Sequence, residues 1–258
     1  MYLYNNQDWP IFRWNSEKLL SLLSHVRNRQ GKLLGKMGAL GFELRNDANL
    51  EILTMEILKS TEIEGEILDK GQVRSSIARR LGLEISGLVY SERNVDGIVD
   101  LMIDATKNFN EELTKERLFS WHAALFPTGK SGMYNIITGN WRDDSTGPMQ
   151  VVSGALGKEK VHYQAPPAVQ IENEMRMFLD WFNLEENTDL VPKAAIAHLW
   201  FVTIHPFEDG NGRISRALSD MLLARSDEQS FRFYSMSTQI RKERNLYYDI
   251  LEKSQKGT

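Results

Sequence analysis

The sequence predicts an all-α fold with one β-hairpin. Along most of the chain, apolar residues recur at intervals of three or four, which is the period of an amphipathic helix. Residues 132–167 break this pattern, because they contain several glycines, three prolines and two short β-prone runs. Such runs on either side of glycine-containing residues are typical of a hairpin.

The composition supports a globular protein and excludes several other classes. The 258 residues are 41% hydrophobic and 26% charged, with a formal net charge of −4, which argues against disorder and collagen. The absence of cysteine excludes a disulfide framework and a thiol nucleophile. The first residues do not form a signal-peptide pattern. The uncharged apolar stretch Ala194–Phe207 is shorter than the ~17–25 residues of a membrane span. We therefore expect a cytoplasmic protein with neither membrane nor nucleic acid as partner.

Four helices are predicted before the hairpin. A leucine stripe runs from Leu19 to Met37, and a second apolar stripe begins at Leu50 and continues through Ser60 to Glu64, where Gly65 is a stop signal. Residues 95–109 repeat the helical period. A short helix over residues 118–125 is ended by Pro127.

The hairpin and three more helices follow. Val151-Val152 and Val161-His-Tyr163 are the two strand-forming runs of the hairpin, and an apolar helix restarts at Ile171. Residues 194–204 are apolar on every side, so we expect a central helix that is buried all round. After a short loop, residues 212–225 carry another apolar stripe, which predicts a further helix.

This loop concentrates the residue types of a phosphoryl- or nucleotidyl-transfer site. Gly210-Asn211-Gly212 opens a helix, where free backbone N–H groups and the helix dipole favour phosphate. Arg213 and Arg216 share a helix face and can bind phosphate oxygens. Asp209 is a hard oxygen ligand suited to Mg²⁺. His205 supplies a base whose ordinary pKa of about 6.5 suits proton removal near neutrality.

The loop also carries a family signature. His205-Pro-Phe-Glu-Asp-Gly-Asn-Gly-Arg-Ile-Ser-Arg216 matches at every position the pattern His-x-Phe-x-Asp/Glu-Gly-Asn-Gly-Arg-x-x-Arg, and so resembles the Fic (filamentation induced by cAMP) family. The resemblance implies a Fic-fold helical bundle with one hairpin flap. It also implies protein adenylylation, in which AMP from ATP is transferred to a Ser, Thr or Tyr hydroxyl of a target protein and pyrophosphate is released.

The resemblance assigns roles to eight residues of this signature. His205 would be the base that deprotonates the target hydroxyl, and Asp209 would hold Mg²⁺. The nucleotide-binding residues would be Gly210, Asn211 and Gly212 around the α- and β-phosphates, with Arg213 assisting and Arg216 at the γ-phosphate. Phe207 would anchor the loop in the core.

Two other segments resemble further parts of Fic proteins. The hairpin at about residues 150–164 corresponds to the flap that holds a target segment by strand addition, with Val152, Ser153 and Gly154 as docking residues. Tyr247-Tyr248, further on, resembles the helix that borders the adenine pocket, and Tyr248 is the candidate for contact with the base.

Ser60-Thr-Glu-Ile-Glu64-Gly65 matches the Ser/Thr-x-x-x-Glu-Gly/Asn inhibitory motif of many Fic proteins. Residues four apart on a helix face the same way, so Ser60 and Glu64 would lie together. A carboxylate placed against Arg216 would keep the guanidinium from the γ-phosphate. The expected organisation is an N-terminal helical region over residues 1–100 that carries this motif, and a catalytic core over residues 101–258.

The sequence leaves several alternative functions open. A Fic-like protein could transfer phosphate, UMP or phosphocholine, or could remove AMP with Glu64 positioning a water. A non-catalytic regulatory or binding module is a rival from another class, although such a module would not need both His205 and Asp209. The target protein, which could be the chain itself, is not identified by the sequence, and a homodimer is a further expectation.

Overall fold

The computed structural model of the chain describes residues 1–154, 158, 160–184 and 188–256. These residues form ten α-helices, a short 3-10 helix at Leu3–Asn5 and four strands. The helices are α1 (Ser16–Gly38), α2 (Phe42–Ile63), α3 (Lys70–Leu81), α4 (Arg93–Lys107), α5 (Lys115–Leu125), α6 (Ala168–Asn183), α7 (Leu190–Ile204), α8 (Asn211–Asp227), α9 (Met236–Lys242) and α10 (Arg244–Gln255). The strands are β1 (Lys130–Ser131), β2 (Tyr134–Asn135), β3 (Gln150–Ser153) and β4 (Lys160–Gln164). The predicted all-α fold class is confirmed.

The centre of the fold is the packed pair α7 and α8. Helix α4 packs against α8, and α6 packs against α7. Asp189 caps α7, because its side chain accepts a hydrogen bond from the backbone N–H of Val191. The prediction that this helix is buried all round is wrong at Ala195, which is exposed. The last five residues of α7, from Trp200 to Ile204, are buried, which holds the C-terminal end of the helix and the start of the following loop against the core.

Helix α1 forms where the leucine stripe predicts it, but it has no buried residue. Leu20 and Leu22 are 67% and 64% exposed. The helix is tied to the body by polar contacts, including hydrogen bonds of 2.7 and 3.1 Å from Arg27 to the Asp189 carboxylate. Periodicity therefore located the helix without showing how little of it the core would cover.

Helix α2 packs against α9 and α3, and its last turns reach α8. Its inward side chains Leu50, Leu53, Ile57 and Ile63 are at most 2% exposed. This packing sets the position of the C-terminal end of α2 relative to α8. The helix ends at Ile63, and Gly65 follows with a φ of 87°, which glycine adopts without a steric penalty.

Strands β3 and β4 form the predicted hairpin. They are antiparallel, with Val151 opposite Tyr163 and Val152 opposite Val161, and the register shifts between Val151 and Val152. Part of the connection between them lies outside the described residues. A second hairpin, β1–β2, was not predicted, since two-residue strands are too short to show an alternating pattern.

Within the described ranges, every helix is too short or too polar to cross a membrane.

Phe207 is completely buried and anchors the loop between α7 and α8. Its ring stacks on the His122 imidazole at 4.1 Å between centroids, with an interplanar angle of 6°. It also contacts the rings of Trp141 and Phe201 at 5.1 and 6.3 Å. Aromatic side chains of α5, α7 and the segment before β3 therefore hold the loop against the core.

We expect Phe207→Ala to lower the free energy of unfolding by about 3–5 kcal/mol, because it removes a buried aromatic ring and leaves a cavity. Urea denaturation followed by circular dichroism measures this loss. Phe42→Ala is the matched control, since Phe42 is 67% exposed and its truncation should cost less than about 0.5 kcal/mol. Equal losses for the two variants would contradict the anchoring role.

Candidate active site

The loop between α7 and α8 folds into a tight turn that closes on itself. His205 ends α7 with a φ of 51°, and Gly210 precedes α8 with a φ of 81°. A Cβ at Gly210 would approach Cε2 of Phe126 to 3.0 Å, so both the backbone conformation and the space favour glycine there. The Asn211 side chain donates to the Phe207 carbonyl at 2.8 Å and accepts from the Phe207 N–H at 3.1 Å. The Asn211 side chain therefore holds the loop in its turn.

His205 is positioned as a neutral base. Burial lowers its pKa to about 4. Its Nδ1 lies 3.3 Å from the Val202 carbonyl, so the ring proton is on Nδ1 and the Nε2 lone pair is free. Arg142 fixes the backbone around it by donating from Nε to the His205 carbonyl at 2.7 Å and from its backbone N–H to the Pro206 carbonyl at 2.9 Å.

Asp209 lies beside the first turn of α8. Its Oδ1 accepts the Gly210 N–H at 2.6 Å, its Oδ2 accepts the Ser131 hydroxyl, and Arg213 Nη2 lies 3.8 Å away. The side chain is 43% exposed. Among the residues described, no three acidic, histidine or cysteine side chains converge on a metal position. Mg²⁺ is commonly bound by one or two carboxylates together with substrate phosphates, and the single exposed carboxylate with an adjacent hydroxyl fits that mode.

Arg216 is 1% exposed, and two of its three nitrogens, Nε and Nη2, are engaged by Ser60 of α2 and by Glu64. Its Nη2 donates to Glu64 Oε1 at 2.8 Å and to the Ser60 carbonyl at 2.9 Å, and its Nε donates to the Ser60 hydroxyl at 2.8 Å. The Glu64 carboxylate lies directly over the first turn of α8, where a Cβ on Gly212 would collide with Oε1. The structure thus brings together Ser60, Glu64 and Arg216, which are about 150 residues apart in the sequence.

Arg213 is also engaged, by the segment that follows α2 and by Phe126. Its Nη1 donates to Glu66 at 3.0 Å, and its guanidinium lies 5.0 Å from the centre of the Phe126 ring. The sequence predicts that Arg213 and Arg216 share a face for phosphate, and in this structure each has a carboxylate partner. Glu66 was not singled out from the sequence, because one acidic side chain among several neighbours has no distinguishing pattern.

A cavity of about 440 Å³ opens beside the loop. His205 and Gly212 line one side, and Tyr247 and Tyr248 of α10 line another. The Tyr247 hydroxyl shares a hydrogen bond of 2.7 Å with Nε2 of His198, which holds this ring in place. One wall of the cavity can bind phosphate and another is aromatic, which is the combination that a bound nucleotide requires.

The hairpin forms the third side of the cavity, through Val152 and Ser153 of β3. Gly154 follows directly after the strand with a φ of 111°. Val151 and Val152 are 39% and 47% exposed, so this strand presents apolar side chains next to the cavity mouth.

Sequence reasoning missed several residues that support the loop from a distance. His122 accepts the Gly139 N–H on Nδ1 at 3.0 Å and donates from Nε2 to the Asp209 carbonyl at 3.2 Å. Burial lowers its pKa to about 4, so it remains neutral in this role. His122 and Arg142 lie 87 and 63 residues before their loop partners, and no local pattern links them.

Family models and known relatives match parts of the chain. Residues 112–223 match the model of the Fic/DOC family, and residues 2–83 match a domain of unknown function, DUF4172. The protein adenylyltransferase Fic of Drosophila willistoni is 40% identical over 218 residues, covering 81% of this chain and 38% of the relative. A probable protein adenylyltransferase of Aquifex aeolicus (strain VF5) is 28% identical over 147 residues, covering 57% of this chain and 39% of the relative. The chain spans less than half the length of these relatives.

Solved structures show the same fold. A Fic family protein from Desulfovibrio desulfuricans G20 has a TM-score of 0.63 at 23% identity, covering 95% of this chain and 68% of that one. A Fic domain containing signaling protein from Bacteroides thetaiotaomicron VPI-5482 has a TM-score of 0.62 at 20% identity, covering 87% and 79%. With the complete loop signature on the α7–α8 turn, the family-model match shows that residues 112–223 of the chain form a Fic/DOC-family domain, and the solved structures share its fold.

Proposed function

We propose that this chain is a protein adenylyltransferase that moves AMP from ATP to a hydroxyl side chain of a target protein. The observation that carries the proposal is the convergence on one cavity of the neutral His205, the N-terminal turn of α8 and the aromatic wall of α10. A base and an anion-binding helix end on one side of a nucleotide-sized space suit an attack on phosphorus.

Each group has a distinct task in the proposed reaction. The free Nε2 of His205 takes the proton of the target hydroxyl as its oxygen attacks the α-phosphorus, and pyrophosphate leaves. The backbone N–H groups of Asn211 and Gly212 would bind the α- and β-phosphates. The Gly210 N–H, which donates to Asp209 Oδ1 at 2.6 Å in this structure, would have to leave that carboxylate to join them. Asp209, with Ser131 beside it, would hold Mg²⁺, which when bound neutralises charge on the phosphates.

The ends of the nucleotide are held by the outer residues of the site. Arg216 would reach the γ-phosphate, and Arg213 would assist at the inner phosphates. Tyr248 would contact the adenine, next to Arg244, whose guanidinium lies 5.0 Å from the ring centre.

Glu64 holds the proposed site in a restrained state. A γ-phosphate on Arg216 has to compete with the Glu64 carboxylate, which now occupies the guanidinium at 2.8 Å. Ser60 supports this arrangement, because its hydroxyl accepts from Nε and its carbonyl accepts from the same Nη2 that donates to Glu64. We therefore propose that α2 is an inhibitory helix and that ATP binds productively only when Glu64 withdraws.

Val152, Ser153 and Gly154 are proposed to dock the target segment. The exposed strand β3 lies at the cavity mouth, and an extended peptide added there would bring its hydroxyl towards His205 by main-chain pairing. Strand addition recognises the backbone of the peptide more than its side chains, which suits an acceptor defined only by its hydroxyl.

The experiment that tests the function compares ATP radiolabelled at the α-phosphate with ATP radiolabelled at the γ-phosphate. The Glu64→Gly variant is incubated with each, with Mg²⁺ and with a bacterial lysate as acceptor. Adenylyl transfer predicts that the labelling which the variant adds to that of the lysate alone, in which kinases already transfer the γ-phosphate, comes only from the α-position. Added labelling from the γ-position would identify phosphate transfer, and stronger labelling from α-labelled UTP would identify UMP transfer; both results contradict the proposal.

The pH dependence of transfer should reflect the shifted pKa of His205. Because burial lowers this pKa to about 4, the base is neutral at every pH well above that value. We expect the rate of the Glu64→Gly variant to change less than about twofold between pH 6 and 8 and to fall only as the pH approaches 4. Circular dichroism at each pH controls for unfolding. A loss of activity with a midpoint near 6.5 would mean that His205 titrates as an exposed imidazole.

A further inference from the structure

The docking strand β3 is not held in place by core packing. All four of its residues, Gln150–Ser153, are exposed, and a two-stranded hairpin is at best marginally stable in water. Its partner β4 is anchored through Tyr163, which is 2% exposed and donates its hydroxyl to the Thr203 carbonyl at 2.6 Å. The position of β3 at the cavity mouth therefore depends on polar contacts of the hairpin.

His162 is the extra residue of a β-bulge in this hairpin. Val151 lies opposite Tyr163 and Val152 lies opposite Val161, so the register passes over His162. A bulge re-aims the side chain of its extra residue, and bulges are over-represented next to active sites. Here the bulge directs the imidazole of His162 to the space between β3 and α10, where it lines the cavity.

The two ring nitrogens of His162 join β3 to α10. Nε2 lies 2.6 Å from the hydroxyl oxygen of Ser153, and Nδ1 lies 2.9 Å from Oε2 of Glu252. Hydrogen bonds from Lys256 and from His162 lower the pKa of Glu252 to about 2, so its carboxylate accepts the Nδ1 proton at neutral pH. Ser153, His162 and Glu252 thus form one continuous set of hydrogen bonds, which we call the hairpin clamp.

Helix α10 is in turn tied to the helix that ends at His205. The side chain of Gln255 is buried and donates to the Val202 carbonyl at 3.2 Å. The same carbonyl lies 3.3 Å from Nδ1 of His205. The clamp therefore sets the position of β3 relative to α10, and α10 is fixed to the carbonyl that also orients the imidazole of His205.

We propose that His162 is a positioning residue, which holds β3 where an added strand brings its hydroxyl to His205. This inference rests on the proposed function, in which His205 remains the base and His162 takes no proton. Without the clamp, β3 is free to move away from α10, so an acceptor docks more weakly. Once an acceptor is bound, strand pairing and the groups of the α7–α8 loop are unchanged, so the chemical step keeps its rate.

Transfer kinetics in the Glu64→Gly background test this role. Incorporation of AMP labelled at the α-phosphate is measured at increasing amounts of a bacterial lysate, which serves as acceptor. His162→Ala should raise the lysate concentration that gives the half-maximal rate about tenfold, because two hydrogen bonds are lost. The maximal rate, and the ATP affinity measured by titration calorimetry, should each stay within about threefold of the parent, which is the signature of weaker acceptor binding alone.

Variants of Glu252 separate the hydrogen bond from a general structural role. Glu252→Ala should match His162→Ala, whereas Glu252→Gln keeps an acceptor for Nδ1 and should stay within about threefold of the parent. The double variant with both alanines should be no weaker than either single variant, since the two residues act in one contact. Lys256→Ala is the matched control, because it removes the other partner of Glu252 and leaves the clamp intact.

Hydrogen exchange measures the clamp without reference to the reaction. In His162→Ala, the backbone amides of β3 and β4 should exchange about tenfold faster than in the parent, because the hairpin opens locally. The amides of α7 and α8 should exchange as in the parent, since their core packing does not involve His162.

The failures of the two proposals are distinguishable. Unchanged exchange of the hairpin, an unchanged half-maximal lysate concentration or additive losses in the double variant overturn the inference and leave the proposed function standing. Weaker ATP binding in His162→Ala also overturns it, by assigning the residue to the nucleotide site. Absence of AMP transfer by the Glu64→Gly parent overturns the proposed function and, with it, the docking role of the clamp.

Discussion

Replacing Glu64 with glycine is expected to raise the rate of AMP transfer about 100-fold. Coupling between two sites typically amounts to about 1–3 kcal/mol, which corresponds to about 5–150-fold. We expect the upper part of this range because Arg216 is 1% exposed and the Glu64 carboxylate lies 2.8 Å from its Nη2. In the variant, Arg216 keeps its two hydrogen bonds to Ser60, so its side chain stays in place while its outer edge becomes available to phosphate.

The rate is measured as incorporation of labelled AMP into lysate proteins and into the chain itself. Glu62→Gly is the matched control, because Glu62 lies on the same turn but pairs with Lys59 and Arg241, away from the loop. Glu62→Gly should leave transfer within about twofold of the wild type, as exposed ion pairs contribute little. If both variants transfer AMP no faster than the wild type, Glu64 does not restrain the enzyme.

Removal of His205 should have the largest effect of all. General base catalysis contributes about 100- to 10,000-fold, and His205 is the neutral imidazole beside the N-terminal turn of α8, so we expect about a 1,000-fold loss in the Glu64→Gly background. His205→Asn is the informative variant, because residue 205 has a φ of 51° and asparagine tolerates this conformation better than alanine.

Binding of ATP separates the loss of the base from the loss of the site. The phosphate-binding groups belong to α8, so His205→Asn should bind ATP within about threefold of its parent, measured by titration calorimetry. His25→Ala controls for removal of an imidazole, since His25 is exposed on α1. Retention of more than a tenth of the parent's rate would place the catalytic base elsewhere.

The loop and the helices around it could be predicted from the sequence for local reasons. The glycines, the acidic residue and the two arginines lie within twelve consecutive residues, so their joint geometry depends on one turn and one helix end. The hairpin at residues 150–164 and the helices α6, α7 and α8 follow from period and turn residues, whereas α9 was not predicted and α10 was identified only through the family resemblance. Residues such as Glu66 and Arg142 could not be found in this way, because their partners lie 147 and 63 residues away.

The sequence by itself determined the all-α class, the order of the main helices, the hairpin and the chemical content of the α7–α8 loop. Only the tertiary structure decided that both arginines of α8 have carboxylate partners, that His205 is buried enough to stay neutral, and that Ser153, His162 and Glu252 meet across the hairpin and α10. Helical periodicity states which side chains share a face, whereas the partner of that face, its burial and hence its pKa depend on packing between elements far apart in the chain.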